Sequence, residues 1–539
     1  MRNASNGGSN GLYARTAGTL QAMATQSLLR SFRFSFLPPL MVYVAAGISG
    51  LTGIVGTFFV KEYLGLSAQF LAALSFWIVL PWTLKMPVGH VVDLLWRWKE
   101  GFVFLGAAFL LGSIGIMLGL LVHPEAMRAV MPAERWYVLA AILSPVGYML
   151  QDVVADAMTV EAVPHLNADG SSVDSQSLRS MHTTMQTLGR IAIVGGTIIV
   201  ALINVGFLSG AESLPRAEKA AAYARVYAAA LAIPLVSVAG VILALALRRR
   251  VGAIPARARD APPVNWWVLG GGMVFAAVSV GVGLADLKYG QEIVFVASMS
   301  IVLTLMVRLV RELDADARAT LVGTAVVIFM FRAVPGPGAG ASWWAIDVLK
   351  FDPGFLAKVS MLSGLVALAG LFAYRRFLAH RSIYFVVGLL TVLGSVMALP
   401  QIGMFYGVHE WTAAMTGGVV DARFIAVLDA ALESPLGQVA MVPMLAWIAN
   451  SAPEKLKATY FAVMASFTNL ALSAAYLGTK YLNRMFEITR EVRDSATGAI
   501  KVPADYSEMG VLFITSAVLG LVVPLAAIAL VRAVRLRGA

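Results

Sequence analysis

The chain has 539 residues, of which 59% are hydrophobic and only 13% are charged, whereas soluble proteins carry about 25% charged residues. This composition excludes an ordinary soluble enzyme. The formal net charge of +11 does not indicate a nucleic-acid partner, because the basic residues occur in loops that the positive-inside rule places in the cytoplasm. There is no cysteine, and the six histidines are scattered, so we expect neither a cofactor nor a metal.

The hydrophobic residues occur in blocks of roughly twenty, the length of a membrane-spanning helix. The blocks are continuous and not alternating, which predicts α-helices and not the strands of a barrel. The predicted fold class is therefore an all-α polytopic membrane protein. About fourteen blocks are present, at residues 38–60, 68–92, 101–122, 137–163, 181–207, 222–247, 266–286, 290–309, 319–341, 354–378, 382–404, 424–449, 457–482 and 509–534.

Residues 1–36 form a segment rich in Ser, Asn, Gly and Arg. Such a segment could be an organellar transit peptide, but Arg30 and Arg33 suit a basic cytoplasmic tail, which we favour. An even number of spans places both termini on one side, and basic loops such as "RRRVGAIPARAR" (248–259) fall on that side. Both termini are therefore predicted in the cytoplasm, and we expect the protein in a bacterial inner (cell) membrane.

Two pairs of segments indicate an internal repeat. "FFVKEYLGLSAQFLAAL" (58–74) lies over "WWAIDVLKFDPGFLAKV" (343–359) at a constant offset of 285 residues, 343 minus 58. At an offset of 277, Asp152 falls on Asp429 and Asp156 on Glu433. Two matches with the same span order predict duplication of a six-span unit. Two parallel six-helix halves are the plan of the major facilitator superfamily.

The predicted domain organisation follows from this duplication. A basic tail (1–36) precedes a first six-helix bundle (37–250), a linker with an inserted helix pair (251–318) and a second six-helix bundle (319–539). The inserted blocks, about 266–309, could form two helices or one helix and an amphipathic piece. We predict two helices outside the bundles, because both blocks reach bilayer length.

The second predicted span contains "LPWTLKMPVGHVVDLLWRWK" (80–99), in which Gly89, Asp93, Arg97 and Lys99 follow the facilitator pattern at a cytoplasmic turn. Its Pro-Trp-x-x-Lys lead-in resembles the folate–biopterin transporter family. Three further segments resemble the same family, namely "DVVADAMTVEA" (152–162), "FRAVPGPGAGASWWAIDVLKFDPGFLAKV" (331–359) and "PMLAWIANSAPEKLKATYFAVMASFTNL" (443–470). The resemblance implies the major-facilitator fold and proton-coupled uptake of folates or pterins.

Asp152 and Asp156 occur in a membrane-length block, four residues apart, so they share one helix face. Two close carboxylates in a low dielectric resist ionising together, which suits a proton carrier. The alternative is a static pair that is neutralised by a buried Arg or Lys, or that lies exposed at a helix end. We predict proton coupling for this pair and, from the repeat, for Asp429 and Glu433. Glu161, on the opposite side of the helix, is interpreted as structural or interfacial.

Two intramembrane arginines are predicted to contribute to a substrate site. Arg332 precedes a helix break at Pro335–Pro337, and an arginine there either pairs with a carboxylate or binds an anionic substrate. Arg190 has the same two interpretations, although the adjacent Gly189 also suggests close helix packing. The Gly-rich run in residues 45–56 predicts close packing of the first helix.

The remaining candidates are aromatic or lie near the cytoplasmic turn. Trp343 and Trp344 could stack on a planar substrate ring, or they could belong to an interfacial aromatic belt. Lys85, Asp93 and Arg97 are more typical of a cytoplasmic gate than of a substrate site.

The sequence therefore predicts a secondary transporter that carries an organic anion by proton symport and alternating access. Its expected partners are a small anionic substrate, protons and the lipid bilayer. One alternative is a facilitator-type carrier or exporter of another small molecule. A second is a non-transporting assembly factor on the same scaffold, which would have no need of symmetric intramembrane carboxylates. No nucleophile–base or metal constellation supports an enzyme.

Overall fold

A computed structural model describes residues 33–64, 66–163, 171, 173, 175–250, 264–285, 287–311, 314–379, 381–434, 436, 457–493 and 500–534. The predicted tail lies outside the described residues except for 33–36, and Phe34–Phe36 already form the first helical turn. The basic linker segment 251–263 and most of the predicted twelfth span after residue 434 also lie outside them. The described chain is helical apart from one small hairpin, which confirms the all-α fold class.

The first part of the chain forms ten α-helices. Short turns of other helical type join α1 to α2 and α3 to α4, so each of these pairs makes one long segment, Phe34–Phe59 and Ala68–Leu94. The bounds are α1 (Leu37–Ile48), α2 (Gly53–Phe59), α3 (Ala68–Val79), α4 (Lys85–Leu94), α5 (Lys99–Val122), α6 (Pro124–Val130), α7 (Ala133–Ala162), α8 (Ser175–Leu208), α9 (Arg216–Ala230) and α10 (Ile233–Arg250).

The second part contains ten further helices and a hairpin between the last two of them. In that hairpin β1 (Val492–Arg493) pairs antiparallel with β2 (Ile500–Val502). The helix bounds are α11 (Trp266–Leu284), α12 (Gly290–Val310), α13 (Ala315–Arg332), α14 (Ala339–Asp347), α15 (Pro353–Ala379), α16 (Ile383–Phe405), α17 (Val408–Met415), α18 (422–434), α19 (Lys457–Met485) and α20 (Met509–Ala533).

Eleven helical segments of the described chain are long and apolar enough to cross a membrane. The broken pair α13 and α14, the partly described α18, and α19 are additional to these eleven. The total of about fourteen spans stays a prediction.

The 285-residue repeat is reproduced in the way two helices begin. α3 begins at Ala68, one residue after Ser67, whose hydroxyl accepts a hydrogen bond from the backbone N–H of Phe70 at 3.1 Å. α15 begins at the equivalent position, after Asp352, whose Oδ1 accepts from the N–H of Phe355 at 2.8 Å. Both side chains satisfy a backbone donor that the first helical turn leaves unpaired.

Small residues let the helices of the first part approach closely. A Cβ added to Gly47 would overlap the carbonyl oxygen of Ile193, so α1 and α8 are in backbone contact there. A Cβ on Gly106 would lie 2.6 Å from the carbonyl oxygen of Gly147, which joins α5 to α7 in the same way. Within the Gly-rich run of the first span only Gly47 has this role, because Gly50 has open space around its Cα.

Two helix pairs connect the first and last parts of the chain. α8 packs along α15, and α19 packs along α3. Within the first part the main contacts are α5 on α7 and α1 on α8 and α10, and within the last part they are α16 on α20 and α13 on α19 and α20. The two-bundle domain boundaries stay a prediction.

The inserted segment forms two helices, α11 and α12, as predicted. They pack against each other, and then against α4 and α19. Gln291 donates a hydrogen bond to the carbonyl oxygen of Ala73 at 2.9 Å, and Glu292 forms an ion pair with Lys480 at 2.8 Å. Met273 and Val296 on their outer faces are more than 60% exposed, as expected for helices that face lipid.

Candidate functional site

The predicted acids Asp152 and Asp156 share one lysine. The Lys85 ammonium lies 2.6 Å from Asp152 Oδ2 and 2.7 Å from Asp156 Oδ2. The Tyr43 hydroxyl donates a hydrogen bond to Asp156 Oδ1 at 2.7 Å. These four residues, here called the Lys85 cluster, join α1, α4 and α7.

The helices explain why these groups meet. Asp152 and Asp156 lie one helical turn apart on α7, so both carboxylates point the same way. Lys85 is the first residue of α4, directly after the turn Leu80–Leu84, and its long side chain spans the gap to α7. Asp152 lies ten residues before α7 ends at Ala162, about 15 Å along the axis. The Lys85 cluster is therefore far from that helix end.

This geometry changes the expected grouping of the side chains. The sequence placed Lys85 with Asp93 and Arg97 in a gate and left the two aspartates to repel each other. In the structure Lys85 neutralises part of that repulsion, because one ammonium bridges both carboxylates. Arg97 is exposed just beyond α4, and Asp93 is half-buried on its last turn. The gating and proton-coupling roles stay predictions.

Arg190 lies close enough to the Lys85 cluster for its charge to act on Asp152 and on Tyr43. The neighbouring Gly189 packs on the Tyr43 ring, since an added Cβ would lie 2.9 Å from Tyr43 Cε2. The close packing expected at Gly189 is confirmed. The two carboxylates of the Lys85 cluster are thus matched by two cations, Lys85 and Arg190.

The second pair of predicted acids lies on α18. Asp429 is half-buried and Glu433 is exposed, whereas Leu428 and Leu432 are each 50% exposed on a neighbouring face. Among the described residues, Asp429 Oδ1 is buried without a hydrogen-bond partner. The two acid pairs thus differ in their surroundings. Convergence of all four acids on one cavity stays a prediction.

The predicted helix break after Arg332 is confirmed. α13 ends at Arg332, and α14 begins at Ala339 after a segment without helical structure. α19 satisfies the exposed backbone, because Thr479 Oγ1 accepts from the N–H of Gly336 at 3.0 Å and Asn483 Nδ2 donates to the carbonyl oxygen of Pro337 at 3.2 Å. Arg332 is half-buried at this break.

Trp343 and Trp344 are 1% and 3% exposed, covered by protein on α14. Trp344 packs edge-on against Phe513, with 5.5 Å between ring centroids. Arg490 lies over Trp343, with 5.5 Å from its guanidinium carbon to the ring centroid. The aromatic-belt interpretation is therefore wrong, because a belt requires contact with the membrane interface. A substrate-stacking role stays a prediction.

Four charged residues at helix ends form a network that sequence reasoning missed. Lys99, 1% exposed, lies 2.9 Å from Glu161 Oε1 and 3.4 Å from Glu100 Oε1. Arg248 lies 2.7 Å from both acids. Glu161 therefore has the structural role that was predicted, and it ties α5, α7 and α10 together. The available signal was the occurrence of these charges near the ends of three helices.

A second missed group lies where α2 and α14 end. Lys61 Nζ lies 2.5 Å from Asp347 Oδ1, and the Tyr506 hydroxyl donates to Asp347 Oδ2 at 2.5 Å. Burial and this hydrogen bond hold the pKa of Tyr506 above its usual range, so the hydroxyl stays a donor. The repeat contained a signal, because its offset aligns Glu62 with Asp347.

The fold matches that of known transporters. One similar structure is a POT family transporter in complex with 5-aminolevulinic acid, with TM-score 0.60, 11% identity and coverage of 93% of this chain and 96% of that chain. Another is the peptide transporter POT in complex with sulfate, with TM-score 0.59, 14% identity and coverage of 94% and 95%. The fold is therefore that of the major-facilitator-type membrane transporters.

The chain belongs to the BT1 family, whose model matches residues 46–536. A relative from Synechocystis sp., described as a folate-biopterin transporter, is 23% identical over 443 residues, which make up 81% of this chain and 72% of that protein. The resemblance expected from the motifs is confirmed. The protein is an integral membrane transporter and not an enzyme.

Proposed function

We propose that this transporter carries an organic anion, such as a folate or a pterin, together with protons by alternating access. The description of the Synechocystis relative as a folate-biopterin transporter supports the substrate class. The Lys85 cluster supports the coupling to protons, and it is the observation on which the proposal depends.

The charges around Lys85 favour symport. Asp152 and Asp156 contribute two negative charges, and Lys85 and Arg190 contribute two positive charges, so the formal sum is zero. An anion that entered alone would leave an unbalanced charge in a medium of low dielectric, which is costly. An anion that enters with a proton leaves the sum unchanged.

Lys85 is the group that can change partners. Its ammonium has three donors, and two of them serve Asp152 and Asp156. The Asp156 side chain is 43% exposed and that of Asp152 is 19% exposed, so Asp156 is the more accessible to a proton. When Asp156 is protonated it no longer requires the ammonium, and a substrate carboxylate can take its place at Lys85.

Arg332 would supply a second contact for the anion at the helix break. Arg190 would hold the charge balance next to the Lys85 cluster. Trp343 and Trp344 would reach a planar ring only after the packing around α14 opens, because both indoles are buried. Asp429 and Glu433 would carry protons in the second half.

We propose that bundles 37–250 and 319–539 rock about the central site, with the inserted pair of linker 251–318 outside them. With both termini in the cytoplasm of a bacterial cell, the ends of α2 and α14 lie on the outer side. The Lys61–Asp347 ion pair would then hold that side closed. Asp93 and Arg97 would act at the cytoplasmic gate.

Uptake into proteoliposomes that contain the purified full-length protein tests this function. Folate, a pterin and a neutral pterin analogue are each offered with a proton gradient and after a protonophore has collapsed it. We expect accumulation of the anions above equilibrium only with the gradient. Equal accumulation in both conditions would refute proton coupling, and failure of every folate and pterin to bind or enter would refute the substrate class.

A further inference from the structure

A cleft lies between α12, the second helix of the inserted pair, and α13. Its volume is about 400 Å³, within the usual range of about 300–1,000 Å³ for small-molecule sites. Aliphatic side chains of both helices form its walls, among them Leu303, Val307 and Val322, and Phe467 of α19 lines its inner side. Arg311 and Arg318 also line the cleft.

The cleft opens toward the bilayer. Leu303 and Val307 on α12 are 42% and 51% exposed, whereas Phe467 is 6% exposed. Exposed apolar side chains on a membrane helix lie against acyl chains, because water does not reach them there. The expected occupant is therefore a molecule that arrives from the membrane.

The arginine end of the cleft lies at the level of the lipid headgroups. Arg311 follows the last residue of α12, and Arg318 lies in the first turn of α13. Nearby Trp266 and Trp267 are 71% and 60% exposed, and Arg308 stacks on Trp267 with 3.4 Å to the ring centroid. Exposed tryptophans are typical of the membrane interface.

The walls of the cleft extend from this level into the hydrocarbon. Leu303 precedes Arg311 by eight residues on α12, and Val326 follows Arg318 by eight residues on α13. At 1.5 Å per helical residue each wall is about 12 Å deep. That depth accommodates the upper part of an acyl chain.

Both charged residues that line the cleft are arginines. Asp314 and Asp316 lie in the same connection but are not part of the lining. Guanidinium groups bind phosphate through paired hydrogen bonds, and basic pockets between membrane helices bind anionic headgroups. We propose that this cleft binds one anionic phospholipid, with its phosphate at Arg311 and Arg318 and an acyl chain against Phe467.

Such a lipid would contact both the inserted pair and the helix that leads to Arg332. It would therefore stabilise α12 against α13 without taking part in the binding of the transported anion. This assignment is independent of the proposed substrate and of proton coupling, because none of its contacts belongs to the Lys85 cluster.

Thermal unfolding of the delipidated full-length protein in detergent tests the proposal. Phosphatidylglycerol, phosphatidylcholine and inorganic phosphate are titrated separately, and retained lipid is counted by native mass spectrometry. We expect phosphatidylglycerol to raise Tm and to remain bound at one molecule per chain, and the other two additives to have no such effect. Equal stabilisation by inorganic phosphate or by phosphatidylcholine would overturn the proposal.

Three variants locate the site. Since each arginine near an anionic lipid contributes about fivefold in affinity, Arg311→Gln with Arg318→Gln is expected to weaken lipid binding by roughly 25-fold. Val307→Trp should fill the cleft at an exposed position and also prevent retention of the lipid. Arg381→Gln, which removes an exposed arginine from a different loop, should retain it. Unchanged binding in the double variant and in Val307→Trp would refute this assignment.

Discussion

Lys61 and Asp347 form an ion pair with 2.5 Å between Nζ and Oδ1, although they are 286 residues apart, 347 minus 61. Their side chains are 16% and 28% exposed. Tyr506, from the last part of the chain, donates to the other oxygen of Asp347. If the halves separate here, Asp347 loses Lys61 but can keep Tyr506. Lys61 is therefore the contact whose removal should favour opening.

Reversing the charge at position 61 should favour the open state. In Lys61→Asp, two carboxylates face each other in place of an ion pair, and loss of such a partly exposed pair costs about 1 kcal/mol, roughly fivefold in the conformational equilibrium. The chain has no cysteine, so a single Ala341→Cys substitution on α14 reports opening through its rate of thiol labelling. We expect labelling to become about fivefold faster in Lys61→Asp.

The matched control is the double reversal, Lys61→Asp with Asp347→Lys, which restores opposite charges and should return labelling toward the original rate. Tyr506→Phe should have a smaller effect, because its hydrogen bond does not join the two halves. If single and double reversals label equally fast, the ion pair does not hold this side closed.

Gly47→Ala should destabilise the protein by about 2 kcal/mol, because the added methyl group would overlap the carbonyl oxygen of Ile193. Gly50→Ala, three residues further along the same segment, has nothing within 4 Å of the added Cβ and should be nearly neutral. Thermal unfolding in detergent distinguishes the two variants. Equal Tm values would show that the contact of α1 with α8 tolerates a larger residue.

The sequence predicted those features of the fold that depend on local or repeated signals. The break after Arg332 follows from nearby prolines and glycines, which cannot continue a helix. The shared face of Asp152 and Asp156 follows from helical spacing alone. The duplicated start of α3 and α15 was detectable because the repeat preserves Phe70 and Phe355 at the same offset.

Contacts between distant segments were not predictable in this way. Lys85 lies 67 residues from Asp152, and no periodicity indicates that its side chain turns toward α7 and away from the cytoplasmic turn. The burial of Trp343 depends on Arg490, which lies after α19. Composition places a Trp pair equally well at an interface or in a core, so only tertiary packing decides between them.

Lys85→Ala should destabilise the protein strongly, because it leaves two neighbouring carboxylates without their shared cation. Breaking a buried ion pair in this way costs about 3–5 kcal/mol, and the side chains of the Lys85 cluster are partly exposed, so we expect the lower end of that range or less. The loss should be larger at pH 8 than at pH 5, since low pH protonates a carboxylate and removes the uncompensated charge. Thermal unfolding across this pH range measures both effects.

A compensating variant distinguishes charge from packing at this position. Lys85→Met with Asp152→Asn removes a cation and an anion together and should recover much of the stability that Lys85→Ala loses. If the double variant is as unstable as Lys85→Ala at every pH, the lysine stabilises the fold through packing and not through its charge.

Asp156→Asn should abolish proton-driven accumulation while preserving exchange of substrate across the membrane. Asparagine cannot take up the coupling proton, whereas exchange in a symporter moves no net proton. Tyr43 can still donate to the remaining amide oxygen, so the packing between α1 and α7 should be retained. The measurement is uptake by proteoliposomes with a proton gradient, compared with exchange of labelled for unlabelled substrate without one.

Asp152→Asn is the necessary companion variant, because both acids contact the same ammonium. The Asp152 side chain is less exposed than that of Asp156, so we expect Asp152→Asn to weaken the hold on Lys85 and to reduce exchange as well as accumulation. Glu161→Gln, which changes a carboxylate of the helix-end network on the same helix, should leave the dependence on the gradient intact. If Asp152→Asn and Asp156→Asn both still accumulate substrate in response to the gradient, these aspartates are structural and the coupling proton is carried elsewhere.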